Sequence, residues 1–184
     1  RGTKGTTWEG GLRVPGIVRW PGHVEPGRRS DVLCTAMDLY PTLATIAGGE
    51  VPTDRIIDGR DVSSIWTDPD APSPHEAFAY YWMNDLEAVR DRRWKLHISK
   101  HGEPTRALHD LIDDPGERHD LIDEHPDVVA RLEAVADGFR ADLGDALTGA
   151  VGSGTRPVGR VDDPRPLTEF DPEHPYYVAE YDLA

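Results

Sequence analysis

Three stretches of the chain hold side chains able to do chemistry. In Gly2-Thr-Lys-Gly-Thr-Thr7 a lysine, Lys4, stands between glycines in a turn-rich segment. Such a stretch invites comparison with a phosphate-binding loop. That loop needs Gly directly before the Lys and Ser or Thr directly after it. Here Thr3 precedes Lys4 and Gly5 follows it, so nucleotide binding is rejected. Taken alone, Lys4 reads as a solvated loop lysine. The second stretch holds Cys34, the single cysteine, which can form neither an intrachain disulfide nor a multi-cysteine metal site. The third holds His97 and His101, two of eight histidines. No His-x-x-x-His pair falls on a predicted helix, so no zinc site is expected, and none of His23, His75, His109, His119, His125 and His174 is singled out from surface or loop.

Composition narrows the function classes. The 184 residues carry a net charge of −14, with 38% hydrophobic and 29% charged residues. The lysines are Lys4, Lys95 and Lys100. That balance argues against non-specific nucleic-acid binding, which arrays basic side chains against phosphates. Apolar runs such as Gly16–Trp20 and Leu43–Ala47 are far too short to span a bilayer, so neither a membrane nor a nucleic acid is an expected partner. Cytoplasmic and exported locations both stay open. The chain opens Arg-Gly-Thr-Lys without an initiator Met, which reads like the middle of a longer polypeptide.

The elements that must position these residues follow from periodicity. Gly and Pro crowd residues 1–30, and Gly16-Ile-Val-Arg-Trp20 between them reads as a strand bounded by tight turns. In Asp38-Leu-Tyr-Pro-Thr-Leu-Ala-Thr-Ile-Ala-Gly48, Leu39, Leu43, Ile46 and Ala47 share one helical face. Asp38 suits the N-cap of that helix, and Gly48 and Gly49 suit its stop. Residues 50–76 read as loop. Phe78–Trp82 is a β-prone aromatic run. Trp94, Leu96 and Ile98 alternate with Lys95, His97 and Ser99, the pattern of a strand buried on one face, which turns His97 away from the core. His101 follows in a loop beside Gly102. Ala107–Leu111 offers another short strand, and close spacing favours an antiparallel meander. From Pro126 to Leu143, Val128, Leu132, Val135, Phe139 and Leu143 recur at helical spacing, with Pro126 at the first position and Gly144 as the stop. This helix should cover one face of the meander. After Gly144 the chain is expected to run irregularly over the surface.

The run Arg1-Gly-Thr-Lys-Gly-Thr-Thr-Trp-Glu-Gly-Gly-Leu-Arg-Val-Pro-Gly-Ile-Val-Arg-Trp-Pro-Gly22 resembles the second half of a sulfatase catalytic domain. Asp38-Leu-Tyr-Pro-Thr-Leu43 with Ala47-Gly48, Ile57-Asp-Gly-Arg-Asp61, Arg93-Trp-Lys-Leu-His97 and Leu108-His-Asp-Leu-Ile-Asp-Asp-Pro-Gly-Glu117 continue the likeness in order over roughly residues 1–143. The resemblance implies the C-terminal part of an alkaline-phosphatase-like α/β fold. Residues 1–72 would end the catalytic α/β domain, 73–144 would form a small antiparallel sheet-and-helix subdomain, and 145–184 an irregular tail. It implies a sulfuric ester hydrolase of the arylsulfatase type, acting on a sulfate ester.

Such enzymes use a hydrated formylglycine made from the Cys or Ser of a Cys-x-Pro-x-Arg-like motif, and a divalent cation, usually calcium, held by Asp and Asn. The resemblance places the calcium ligands and the formylglycine outside this chain. Cys34 is followed by Thr35, Ala36, Met37 and Asp38, without the required Pro and Arg, and is read as a small buried hydrophobe. Lys4 stands where the family places a sulfate-binding lysine, which makes it the catalytic and substrate-binding candidate. His101, and less so His97, are candidate substrate contacts, because the subdomain can edge the pocket there. Trp8, Glu9 and Arg13 are expected to hold the glycine loop. Two other readings stay open: a phosphoric or phosphonate monoester hydrolase of the same superfamily, and a non-catalytic remnant or binding module.

Overall fold

A computed structural model describes residues 1–157, 159–162 and 172–173; His174 lies outside them. The centre is a four-stranded antiparallel meander in the order β1-β2-β3-β4, formed by Phe78–Trp82, Asp85–Arg90, Trp94–Lys100 and Glu103–Asp110. Short turns join successive strands, so each pairs with its sequence neighbour. Val89 pairs with Leu96, and Leu96 with Leu108, which lines up one apolar row.

Helix α4, Pro126–Leu143, lies over that row. Leu86, Val89, Leu96 and Leu108 pack against Val129, Leu132 and Ala136. Each fully buried aliphatic side chain of this kind contributes about 1.5–3 kcal/mol. Pro126 begins the helix, and Gly144 ends it at φ +86°, a conformation unfavourable for a side chain with a Cβ. The chain then docks back rather than running loosely: Asp145 is buried, pairs with Arg140 at 3.0 Å and bridges to Ala150, while the Tyr81 hydroxyl donates to the Gly144 carbonyl at 2.9 Å.

The second face of the sheet is buried too, and this corrects the one-sided reading of β3. Lys95, His97 and Ser99 are buried; residues 7–9 and Glu117 cover the first two, and the Ser99 hydroxyl donates to the Leu86 carbonyl at 3.0 Å. His97 therefore faces a second, polar core. His109, expected at the surface, is buried on the same side against Trp8.

The N-terminal segment departs further from expectation. A four-residue helix α1, Glu9–Leu12, follows the glycine turns. Gly16–Trp20 is extended without a sheet partner, and Ile17 is 94% exposed. A strand needs a neighbour for its N–H and C=O groups, and no described residue supplies one there. A 3-10 turn, Ala36–Asp38, leads into α2, Leu39–Ile46. Asp38 caps the 3-10 turn rather than α2: its carboxylate accepts from the Thr35 N–H at 2.6 Å, the Arg60 N–H at 2.8 Å and His75 Nε2 at 2.8 Å. Inside the expected loop, Ser63–Thr67 forms a short helix, α3. Cys34 is exposed, not buried. No helix among the described residues is long and apolar enough to cross a membrane.

Helix α2 buries Pro41 and Thr42, whereas Leu39 and Leu43 are 48% and 54% exposed. Leu12, Val14, Ile17 and Tyr40 are exposed as well, so the first 43 residues leave several large apolar side chains in water. The isolated chain is therefore expected to self-associate as its concentration rises. Sedimentation checks this, and a clean monomer with a sharp two-state melt would contradict it.

Candidate functional site

The glycine turns at the N-terminus are shaped by close contacts. Gly5 sits at φ +83°, and a Cβ there would stand 3.8 Å from the Trp82 ring. At Gly11 a Cβ would stand 2.2 Å from the Thr6 carbonyl, so no side chain fits. The turn is closed by hydrogen bonds from the Thr6 N–H to the Thr3 carbonyl at 3.2 Å and from the Gly10 N–H to the Arg1 carbonyl at 2.8 Å. Lys4 stands exposed on this turn.

Two buried polar clusters fasten the turn to the sheet, and Thr7 belongs to both. In the first, Lys95 Nζ donates to the Thr7 carbonyl at 2.7 Å and to Glu9 Oε1 at 3.0 Å, and lies 3.2 Å from Glu117 Oε1. Glu117 Oε2 accepts the Glu9 N–H at 2.6 Å, so it caps the start of α1, and Glu117 Oε1 accepts from His97 Nε2 at 2.7 Å. Burial pushes His97 down to about 4, against the pull of Glu117. Burial alone would raise Glu117, but His97, the Lys95 charge and the Glu9 N–H together hold it at about 2. At neutral pH His97 is therefore a neutral imidazole beside the ionised Glu117 carboxylate. Trp8 closes it, its ring 4.0 Å from that of His97. Arg13 Nη1 reaches Glu9 at 3.9 Å and also pairs with Asp31.

In the second cluster the Thr7 hydroxyl donates to Glu87 Oε2 at 2.6 Å. Lys100 donates to the Thr7 hydroxyl oxygen, lies 3.6 Å from Glu87 Oε2, and sits 4.6 Å over the Trp8 ring. The backbone N–H of His101 donates to Glu87 Oε1. Burial lowers Lys100 to about 8, opposed by the attraction of Glu87.

His101 sits at φ +50° in the β3–β4 turn, its ring edge-on to Trp82 at 4.6 Å. Trp82 ends β1 at the same end of the sheet and also stands near Gly5. The structure thus gathers the Lys4 turn and His101 around one tryptophan. It does not bring His97 there: that side chain has no exposed surface, because the N-terminal segment covers it. Glu87, Lys95, Lys100 and Glu117 escape a sequence reading. The available hint was that all three lysines fall in the two segments that meet here.

Among the described residues no group of three or more His, Cys, Asp or Glu could hold a metal ion. Nor does Cys34 stand in a motif suited to formylglycine. The described residues therefore fit neither cofactor, and no step is derived through them. A hollow of ≈ 480 Å³ lies between the β1–β2 turn and residues 143–155, and its lining includes neither Lys4 nor His101.

Comparisons with known proteins bear on the family. Residues 3–140 match the family described as N-sulphoglucosamine sulphohydrolase, C-terminal. The chain is 35% identical to steryl-sulfatase of Rattus norvegicus, over 79% of this chain and 31% of that protein. It is 34% identical to arylsulfatase A of Bos taurus, over 72% of this chain and 31% of that protein. The chain thus spans about a third of the length of these relatives. Among solved structures, a Bacteroides thetaiotaomicron protein described under glycosaminoglycan metabolism aligns at a TM-score of 0.63 with 27% identity, over 77% of this chain and 32% of that one. A sulfatase from Pseudoalteromonas sp. aligns at a TM-score of 0.68 with 24% identity over the same shares, a likeness of fold. Lys4, the meander and most of the covering helix fall within the matched residues, and the chain belongs to the sulfatase family, as its C-terminal portion.

Proposed function

We propose that this chain completes a sulfuric ester hydrolase in which Lys4 binds the sulfate group of the substrate. The observation that carries the reading is the geometry of the Lys4 turn. An exposed ammonium stands on a tight backbone turn that two buried polar clusters hold against the sheet. A rigidly mounted cation next to open space suits an anion whose charge grows during reaction. As the S–O bond to the leaving group breaks, charge builds on the sulfate oxygens and the leaving oxygen. A preorganised ammonium stabilises that charge without reorganising when the reaction occurs. In this reading His101, half-exposed beside Trp82, is a substrate contact. His97 acts indirectly, through the packing of Trp8 and Glu117.

In this reading residues 1–72 belong to the catalytic domain and 73–144 to the sheet-and-helix subdomain that closes one side of the pocket. The formylglycine nucleophile and the calcium ion that the family implies come from parts of the enzyme beyond these residues. When present they would supply the attacking oxygen and the electrophilic clamp; this chain binds and orients.

The test is a rate comparison on the full-length enzyme that contains this chain. Aryl sulfate is expected to turn over well ahead of aryl phosphate. A preference for the phosphate would reassign the enzyme to phosphoric esters. The 184-residue chain alone is expected to show no turnover of either ester.

A further inference from the structure

Glu87 has no part in the chemistry above, yet its side chain is fully buried in β2. A buried carboxylate is costly unless its oxygens are satisfied. Both are. Oε2 accepts the Thr7 hydroxyl at 2.6 Å and faces the Lys100 ammonium at 3.6 Å. Oε1 accepts the His101 backbone N–H, and His101 Nδ1 stands 3.9 Å away. Thr7 lies three residues beyond Lys4 on the same turn. One rigid group, mounted on a central strand, therefore grips the Lys4 turn with one oxygen and the His101 turn with the other.

We infer that Glu87 is a positioning residue that sets the placement of Lys4 relative to His101 at the sulfate-binding site. The inference rests on the proposed role of Lys4. An ionised carboxylate is the side chain best suited to the task, because it accepts at both oxygens. An amide accepts at one end and donates at the other. Glu87→Gln can keep the His101 N–H on its oxygen only by setting its N–H₂ against the Thr7 hydroxyl, which reverses that hydrogen bond, and it removes the charge that faces the Lys100 ammonium, so the grip on the Lys4 turn loosens. Misplacement by about 1 Å costs on the order of 100-fold in rate when geometry governs the step.

The experiment uses the full-length enzyme with an aryl sulfate. Glu87→Gln is expected to lower kcat roughly 10- to 100-fold with a smaller change in KM, since alignment matters most in the transition state. Thr7→Val removes the hydroxyl that Glu87 grips and leaves the carboxylate facing Lys100. It provides the second variant should Glu87→Gln fail to fold, and it is expected to show the same loss of kcat, measured well below its melting temperature, which falls modestly because Glu87 Oε2 loses a buried donor. In a double-mutant cycle, Glu87→Gln should cost less in a His101→Ala background than in wild type, because one of the two parts it aligns is gone. Wild-type kcat in Thr7→Val, or full multiplicativity in the cycle, would overturn the inference and leave Glu87 a structural residue. Lys4→Ala separates the two readings: if it is inactive while Thr7→Val is normal, the positioning role fails and the sulfate-binding role stands.

Discussion

Lys4→Ala in the full-length enzyme is expected to lower kcat by about two to three orders of magnitude while leaving the melting temperature near that of wild type. The rate loss follows from removing a preorganised charge that acts on the transition state, which costs about 3–4 kcal/mol. The unchanged stability follows from the surroundings. Lys4 is exposed, and the hydrogen bonds that close its turn run between backbone atoms of Thr3, Thr6, Arg1 and Gly10. Truncation therefore opens no cavity and leaves no buried partner unpaired. Lys4→Arg should recover little of the lost rate, because a planar fork does not occupy the space of a compact ammonium. The measurements are kcat and melting temperature for the three proteins. Wild-type kcat in Lys4→Ala would make Lys4 a surface lysine. Lost activity accompanied by early melting would make it a structural one.

The contrast between Lys4 and Lys95 shows which parts of the site were legible in the sequence. Elements governed by local periodicity were readable. Helix α4 follows its apolar spacing between Pro126 and Gly144, and β1 and the Trp94–Ile98 alternation appear where expected. Strand β2 escaped notice because Asp85, Glu87 and Arg90 interrupt its apolar residues, and the partners that let Glu87 and Arg90 be buried include Thr7 and Glu9, far along the chain. Lys95 and His97 suggested a solvated face for the same reason: residues 7–9, which cover them, lie nearly ninety positions away. Gly16–Trp20 failed in the opposite direction. Its composition favours a strand, but strand formation depends on a neighbour that the described residues lack. The role of Lys4 came from a resemblance; the physics of the local sequence would have left it a loop residue.

Lys95→Met is expected to destabilise the folded protein by about 3–5 kcal/mol at neutral pH, the usual result of removing one partner from a buried ion pair. Met matches the aliphatic stem closely, so the packing loss is small and the effect is electrostatic. What remains is unfavourable. Glu9 is nearly buried and Glu117 fully so, and both rely on the Lys95 ammonium, which lies 3.0 Å and 3.2 Å from their carboxylates. Arg90 and Arg13 already pair with the other oxygen of Glu9, at 3.8 Å and 3.9 Å, and do not take the place of Lys95 at Oε1. The Thr7 carbonyl also loses its donor, which loosens the turn that carries Lys4. The pH dependence identifies the cause. In the wild type Glu117 titrates at about 2 when folded, below its ordinary value of 4.5. A carboxylate with a depressed folded value adds stability that is present above its unfolded value and is lost as pH falls through the folded one. Lys95 is one source of that depression, so Lys95→Met should weaken this contribution. The gap between the two proteins should then be widest at neutral pH and narrow as pH falls from about 4.5 toward 2, where Glu117 gains its proton in both. Denaturant melts at several pH values measure the gap directly. A gap that stays constant across this window would assign the loss to packing instead of charge. A gap near zero at neutral pH would mean that Glu9 and Glu117 find other partners when Lys95 is absent.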